Sequence, residues 1–197
     1  MRIESFIEMH EGKLFGLGMA HSFPSLFVFE WILNNYPLDY IIEIGTGGGG
    51  LSLYLYFQSL VREMGFSTYD IEEKYNKMVD ARGNKTQYNI PKIQKNILTP
   101  HFNKRDIFDK ETISEIEKIL SENKTLLYCD NGRKPEVLKL YSKYVNPKSI
   151  LATHDFGRAI KPFHVNALLR TLNFEEIPIS KFCDVYRTYQ RFWYKHI

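Results

Sequence analysis

The chain of 197 residues predicts an α/β domain, a doubly wound and mostly parallel sheet with helices on both faces. Three observations predict it. Short apolar segments rich in β-branched residues alternate with longer segments of helical character. The first of these apolar segments runs directly into the glycine-rich stretch GTGGGG at 45–50. Acidic residues recur at the ends of the apolar segments, the edge where sheets of this kind bind ligands. No repeat, low-complexity tract or linker interrupts the pattern. A single domain over 1–197 is therefore expected, with a helical or lid-forming segment at 1–37 and an α/β core at 38–197.

SLFVFEWILNN at 25–35 reads as a helix, with Pro24 suited to its first turn, Ser22 placed to cap it and Pro37 beyond its end. Tyr40–Ile44 is apolar and β-branched and stops at glycine, the mark of a buried strand. A helix follows over LSLYLYFQSLVREM and is closed by Gly65. FSTYD (66–70) is a second strand, IEEKYNKMVDAR (71–82) a helix, and 83–100 an irregular connection. RDIFD (105–109) ends a third strand, and ETISEIEKILSEN is an amphipathic helix with Ile113, Ile116, Ile119 and Leu120 on one face. TLLYCD (125–130) is a fourth strand, PEVLKLYSKYVN its helix, and SILATHDF (149–156) a fifth strand. A helix near 162–173 precedes two last strands, NFEEIPIS and RFWYKHI. A short segment rather than a helix separates these two, so they are expected to pair antiparallel at one end of the sheet. The other strands should run parallel with right-handed crossovers, giving a Rossmann-like doubly wound fold.

Composition bounds the function. Hydrophobic residues at 44%, charged residues at 25% and well-spread aromatics at 15% describe a globular domain rather than a disordered chain. A net charge of +3 argues neither for nucleic acid nor for an anionic membrane. Cys129 and Cys183 lie in apolar surroundings and make no disulfide framework, which fits a reducing compartment. The N-terminal stretch lacks the apolar region of a signal peptide, and SLFVFEWIL is too short to span a membrane and is broken by Glu30. A cytoplasmic location is expected.

The segment IIEIGTGGGG supports two cofactor readings. Gly45, Gly47 and Gly50 fit the dinucleotide fingerprint, with Asp70 placed to hold a ribose. The same turn suits S-adenosylmethionine, because glycine lets main-chain N–H groups approach the ligand and Asp70 accepts the ribose hydroxyls. Glu43, two residues before the first glycine, separates the readings. A carboxylate there repels a pyrophosphate but attracts a sulfonium and an ammonium group. Its structural alternative is to cap the next helix or pair with a lysine.

On these residues the sequence resembles the class I S-adenosylmethionine-dependent methyltransferases. The resemblance rests on EIGTGGG, on Asp70 at the end of the next strand and on Asp106 in the third-strand motif. IIEIGTGGGGLSLYL is also similar to the cephalosporin hydroxylase and sugar O-methyltransferase branch, and with YCDNGRK and ATHDF the likeness covers roughly residues 35–160. It implies that Gly45, Thr46, Gly47 and Gly49 line the methionine part of the cofactor. It also implies that Glu43 sits near the amino group, Asp70 holds the ribose and Asp106 approaches the adenine amine. For Asp106 the alternative is a cap on the helix that follows.

Asp130 and Asp155 end the fourth and fifth strands and should meet at the ligand edge. Two carboxylates in one cleft need a cation between them, and Mg²⁺ with one or two carboxylates is the simplest. This resembles the metal-dependent O-methyltransferases, whose ion grips neighbouring substrate oxygens. Where that pattern has a further acid or amide, this chain has His154, an atypical Mg²⁺ ligand. The structural alternative for both acids is turn formation, as in Asp130-Asn131-Gly132. The same resemblance implies Lys134 as the base, one residue later than the lysine of the catechol-type enzymes and with a pKa lowered by a neighbouring cation; His154 is the other candidate, and solvated charge is the alternative for Lys134 and, more so, for Arg133. Metal-free pairing of the acids with His154, Lys134 and Arg133 is the other possibility.

No iron facial triad is evident. His10, His101, His164 and His196 read as surface or satisfied residues, and His21 as part of a lid. The basic and aromatic tail YRTYQRFWYKHI reads as a strand with one buried and one wet face rather than a nucleic-acid surface. The function expected is methyl transfer from S-adenosylmethionine to a hydroxyl of a small molecule such as a sugar, without nucleic acid or membrane. The rivals are a non-catalytic binding module and an NAD(P)-dependent oxidoreductase.

Overall fold

Tyr40–Ile44 is apolar on both faces, and this strand, β3, lies in the middle of the sheet, as such a run must. The structure is a computed structural model describing residues 12–15, 17–72, 77–79, 85–87 and 92–197. On one side of β3 stand β4 (Gly65–Asp70) and β7 (Phe102–Lys104), both parallel to their neighbours. On the other side β8 (Thr125–Cys129) and β9 (Ile150–Thr153) are also parallel. Next comes β11 (Arg191–Lys195), antiparallel to β9, and then β10 (Phe174–Glu176), antiparallel to β11. The order β10-β11-β9-β8-β3-β4-β7 reverses direction between β3 and β8, which opens a ligand crevice at their carboxyl ends.

Side-chain alternation builds two cores, one on each face. Ile41, Phe66, Leu126, Tyr128, Ala152 and Phe192 point to one face, packed by α1 (Pro24–Asn35) and α2 (Gly50–Val61). Ile42, Ile44, Tyr69, Leu127, Cys129 and Trp193 point to the other, against α4 (Lys110–Glu122) and α5 (Lys134–Tyr141). The remaining helices are short: α3 (Lys92–Leu98), α6 (Asn166–Thr171) and α7 (Ser180–Val185). Helix α1 buries Val28, Phe29, Ile32 and Leu33, each contributing about 1.5–3 kcal/mol. That makes α1 a full member of the core. An N-terminal hairpin, β1 (Gly12–Leu14) with β2 (Leu17–Met19), leads into it.

Several sequence expectations need correction. Pro24 occupies the first turn of α1, but Ser22 does not cap it; its hydroxyl has no partner, and only its carbonyl accepts a bond, from the N–H of Ser25 (3.0 Å). The third strand ends at Lys104, so 105–109 is the turn beyond it. Part of the helix expected over 71–82 is instead a strand, β5 (Lys77–Val79), paired with β6 (Lys85–Gln87); residues 73–76 and 80–84 lie outside the described residues. The connection expected to be irregular contains α3. The late strands do pair antiparallel, but the helix α7 stands between them. Nor does β11 have a wet face. Phe192 and Trp193 enter opposite cores, while Arg191 pairs with Asp184 (2.5 Å) and Lys195 bonds the carbonyl of Val145. Among the described residues no helix is long and apolar enough to cross a membrane.

Candidate active site

Four strand ends, of β4, β3, β8 and β9, are stitched together by three main-chain bonds. The N–H of Gly45 donates to Tyr69 O (2.8 Å), that of Asp130 to Ile44 O (2.7 Å), and that of His154 to Cys129 O (3.1 Å). Gly45, Asp130 and His154 therefore stand in one row along the edge where the sheet reverses. A cavity of about 660 Å³ opens over that row, a size suited to a cofactor-sized ligand.

One end of the cavity is made by the turn at 45–50. Gly45 has φ 107°, and a Cβ there would lie 2.5 Å from the carbonyl oxygen of Asp130, so both conformation and space demand glycine. Gly48 and Gly50 are crowded from the other side. A Cβ on them would come within 2.5 and 2.8 Å of Gly18 O, because the end of β2 lies on the turn through a parallel bridge between Gly18 and Gly49. The carboxylate of Asp70 reaches into the turn and accepts the N–H of Gly47 (3.1 Å). Thr46 bonds Thr68 hydroxyl to hydroxyl (2.5 Å). Beneath them Glu43 is buried and accepts bonds from Ser52 and from Thr68 (2.7 Å). Burial pushes the Glu43 carboxyl up to about 8, although both hydroxyls pull the other way.

The other end is built from side chains. Asp130 accepts from His21 Nε2 (3.0 Å), His154 Nδ1 (3.1 Å) and Lys134 Nζ (3.2 Å). Lys134 Nζ also reaches Asp155 (2.9 Å), so one ammonium bridges the two carboxylates. Asp155 adopts φ 57°, a left-handed conformation costing a residue with a side chain roughly 1–2 kcal/mol. Burial alone would raise the Asp130 carboxyl, but the imidazoles of His154 and His21 hold it well below the usual carboxylate range. Burial lowers His21 and keeps it neutral. Lys134 would also be lowered by burial, yet Asp130 and Asp155 raise it overall. The shift is opposite to the one expected of a base beside a cation.

Asp106 and Arg133 also line the cavity. Asp106 closes a turn by accepting the N–H of Phe108 (3.0 Å), and it does not cap α4. Arg133 is not a merely solvated charge, since its guanidinium lies 4.1 Å over the ring of Phe108. Every residue expected at the site lines the cavity or touches a residue that does. Glu43, Gly45, Thr46, Gly47, Asp70, Asp106, Asp130, His154 and Asp155 line it directly, Lys134 is bonded to two of them, and Gly49 is the turn residue that bridges to Gly18.

Sequence reasoning set His21 in a lid and missed its bond to Asp130. His21 is buried in the cavity wall, its ring 4.4 Å from that of His154 and its second nitrogen without a partner. His21, Asp130 and His154 thus form the two-imidazole, one-carboxylate set of which the sequence gives no sign. Elsewhere His196 pairs with Glu175 (2.8 Å) and His101 stacks on Tyr56, while His10 lies outside the described residues.

No family model matches the chain, and no curated protein matches it in sequence. Solved structures do match in fold. The apo form of CmcI superposes with a TM-score of 0.61 at 11% identity, over 94% of this chain and 76% of its own. A methyltransferase from Geobacter sulfurreducens gives 0.54 at 12% identity, over 89% and 78%. An S-adenosylmethionine-dependent O-methyltransferase from Thermotoga maritima gives 0.52 at 14%, over 99% and 71%. The chain shares its fold with these structures, two of which are methyltransferases by name.

Proposed function

We propose that the protein transfers a methyl group from S-adenosylmethionine to a hydroxyl of a small molecule. One observation carries this reading. A single cavity joins a glycine turn gripped by Asp70, with a buried carboxyl beneath it, to a cluster of acids and imidazoles. Glu43 is the discriminating residue. A buried carboxyl under the turn, protonated while the site is empty, gives up its proton more readily beside a cationic ligand than beside a pyrophosphate, and so favours the cationic one. Asp70 and the main-chain groups of 45–47 would bind the ribose and methionine parts, and Asp106 stands on the wall beyond Asp70. The cofactor supplies an activated methyl group, and the protein supplies proximity and alignment.

The acceptor would lie at the other end, where a sugar or another polyol is the class to which the resemblance points. Lys134 keeps its proton between Asp130 and Asp155 and serves as a fixed positive charge. The proton acceptor within the protein is then His154, oriented through Nδ1 by Asp130. Mg²⁺ does not fit these residues. It prefers oxygen ligands, and here an ammonium bridges the two carboxylates and the neighbouring donors are imidazole nitrogens.

Ligand-induced stabilisation tests the reading. S-adenosylhomocysteine at about a hundred times its Kd should stabilise the fold by roughly 2.7 kcal/mol, seen as a raised Tm, and NAD should not. A shift with NAD alone would overturn it in favour of an oxidoreductase. Binding of S-adenosylhomocysteine without transfer to any hydroxylated acceptor would leave a binding module.

A further inference from the structure

We infer that His21, Asp130 and His154 form a binding site for a divalent first-row transition metal such as Zn²⁺, Fe²⁺ or Co²⁺. One ligand atom from each lies within 4.8 Å of the other two. Three separate segments bring them there: the stretch between β2 and α1, the end of β8 and the end of β9. With metal–ligand bonds near 2.1 Å, neighbouring ligands sit roughly 3.0–3.4 Å apart. His21 Nε2 lies 3.0 Å from Asp130 Oδ2 and His154 Nδ1 lies 3.1 Å from Asp130 Oδ1, so each imidazole is at that spacing from one oxygen of the carboxylate. Closing on an ion requires the set to contract from within 4.8 Å toward that spacing.

The donor set decides the class of ion. Two imidazole nitrogens and one carboxylate suit the middle and late first-row metals, whereas Mg²⁺ selects oxygen. Both imidazoles and the carboxylate line the cavity, so the remaining coordination positions face it, as in a catalytic rather than a structural site. Asp155, with an oxygen 3.7 Å from His154 Nδ1, stands just outside the ligand set. Lys134 competes for Asp130 and can withdraw to Asp155 alone when the ion enters. A bound ion would make ligands of both imidazoles and would lower the pKa of a hydroxyl placed on it, taking over proton removal from His154. The inference does not depend on the methyl-transfer reading.

The experiment is a Co²⁺ titration of the chelator-stripped full chain, followed by its visible d–d absorption. One equivalent should bind, Zn²⁺ should displace it, and Mg²⁺ in about hundredfold excess should not. His21→Ala and His154→Ala should each weaken Co²⁺ binding at least about tenfold, and Lys134→Met should strengthen it. Circular dichroism and S-adenosylhomocysteine binding by calorimetry report whether each variant is folded. Absence of d–d absorption in the unmodified protein would overturn the inference. So would Mg²⁺ competing on equal terms, or a folded His21→Ala variant binding Co²⁺ as tightly as the parent. Co²⁺ binding without S-adenosylhomocysteine binding would uphold the metal site and sink the cofactor assignment alone.

Discussion

The two ends of the cavity are made of different material. At the turn, contiguous main chain does most of the shaping, with Asp70 and the buried Glu43 as its charged side chains. At the acid–imidazole end, the three side chains of His21, Lys134 and His154 converge on Asp130 and Asp155, and charge does the work. The first kind of site is rigid because backbone fills the space around it. The second is balanced, because the imidazoles hold Asp130 in its charged form and Asp130 with Asp155 holds Lys134 in its own.

The contrast breaks most severely at Gly45. Gly45→Val places a side chain against the main chain of Asp130 in a left-handed conformation, so the fold should lose on the order of 4 kcal/mol or more in denaturant unfolding. A loss under about 1 kcal/mol would show that the turn is looser than its geometry. Lys134→Ala tests the other end. With the bridging ammonium gone, two carboxylates face each other with only the imidazoles to offset them, and a stability loss of about 3 kcal/mol is expected, since removing one partner of a buried pair strands the other. Transfer to a hydroxylated acceptor should fall with it.

Smaller effects sharpen the comparison. Asp70→Ala should leave the fold intact and weaken S-adenosylhomocysteine binding by roughly 1.5–3 kcal/mol in calorimetry. Unchanged affinity would reduce Asp70 to a brace for Gly47. Glu43 gives a signal of another kind, a slope. Its folded pKa of about 8 lies above the ordinary 4.5, so the folded state holds a proton that the unfolded chain releases. The stability this contributes is complete below pH 4.5 and is lost as pH rises to about 8, at up to ~1.4 kcal/mol per pH unit. Glu43→Gln should flatten Tm against pH across that window relative to the parent; identical profiles would place the Glu43 proton elsewhere.

The same contrast explains what the sequence could reveal. β3, its glycine turn and Asp70 were readable because they follow one another within about thirty residues and obey local rules of periodicity and backbone conformation. Asp130 and Asp155 were readable as strand ends, and the parallel topology sent them to one edge. His21 was not, because its role exists only once β2 lies on the turn. The direction of the Lys134 shift was hidden for a related reason. Sequence placed it beside a cation, but in the fold it is the cation. The helix expected over 71–82 and the strand expected to reach Asp109 failed at positions where long-range pairing, not local propensity, sets the element.

The seating of Gly18 against Gly48 and Gly50 ties two stretches of sequence into one unit of inheritance. A side chain gained at either turn position would push the hairpin outward, and three residues after Gly18 the chain carries His21. Change in the turn is thus expected to survive only when change in the hairpin accompanies it. A designer who transplants residues 43–50 into another α/β scaffold would need to carry 17–21 along, or fill the vacated groove with a new main-chain segment.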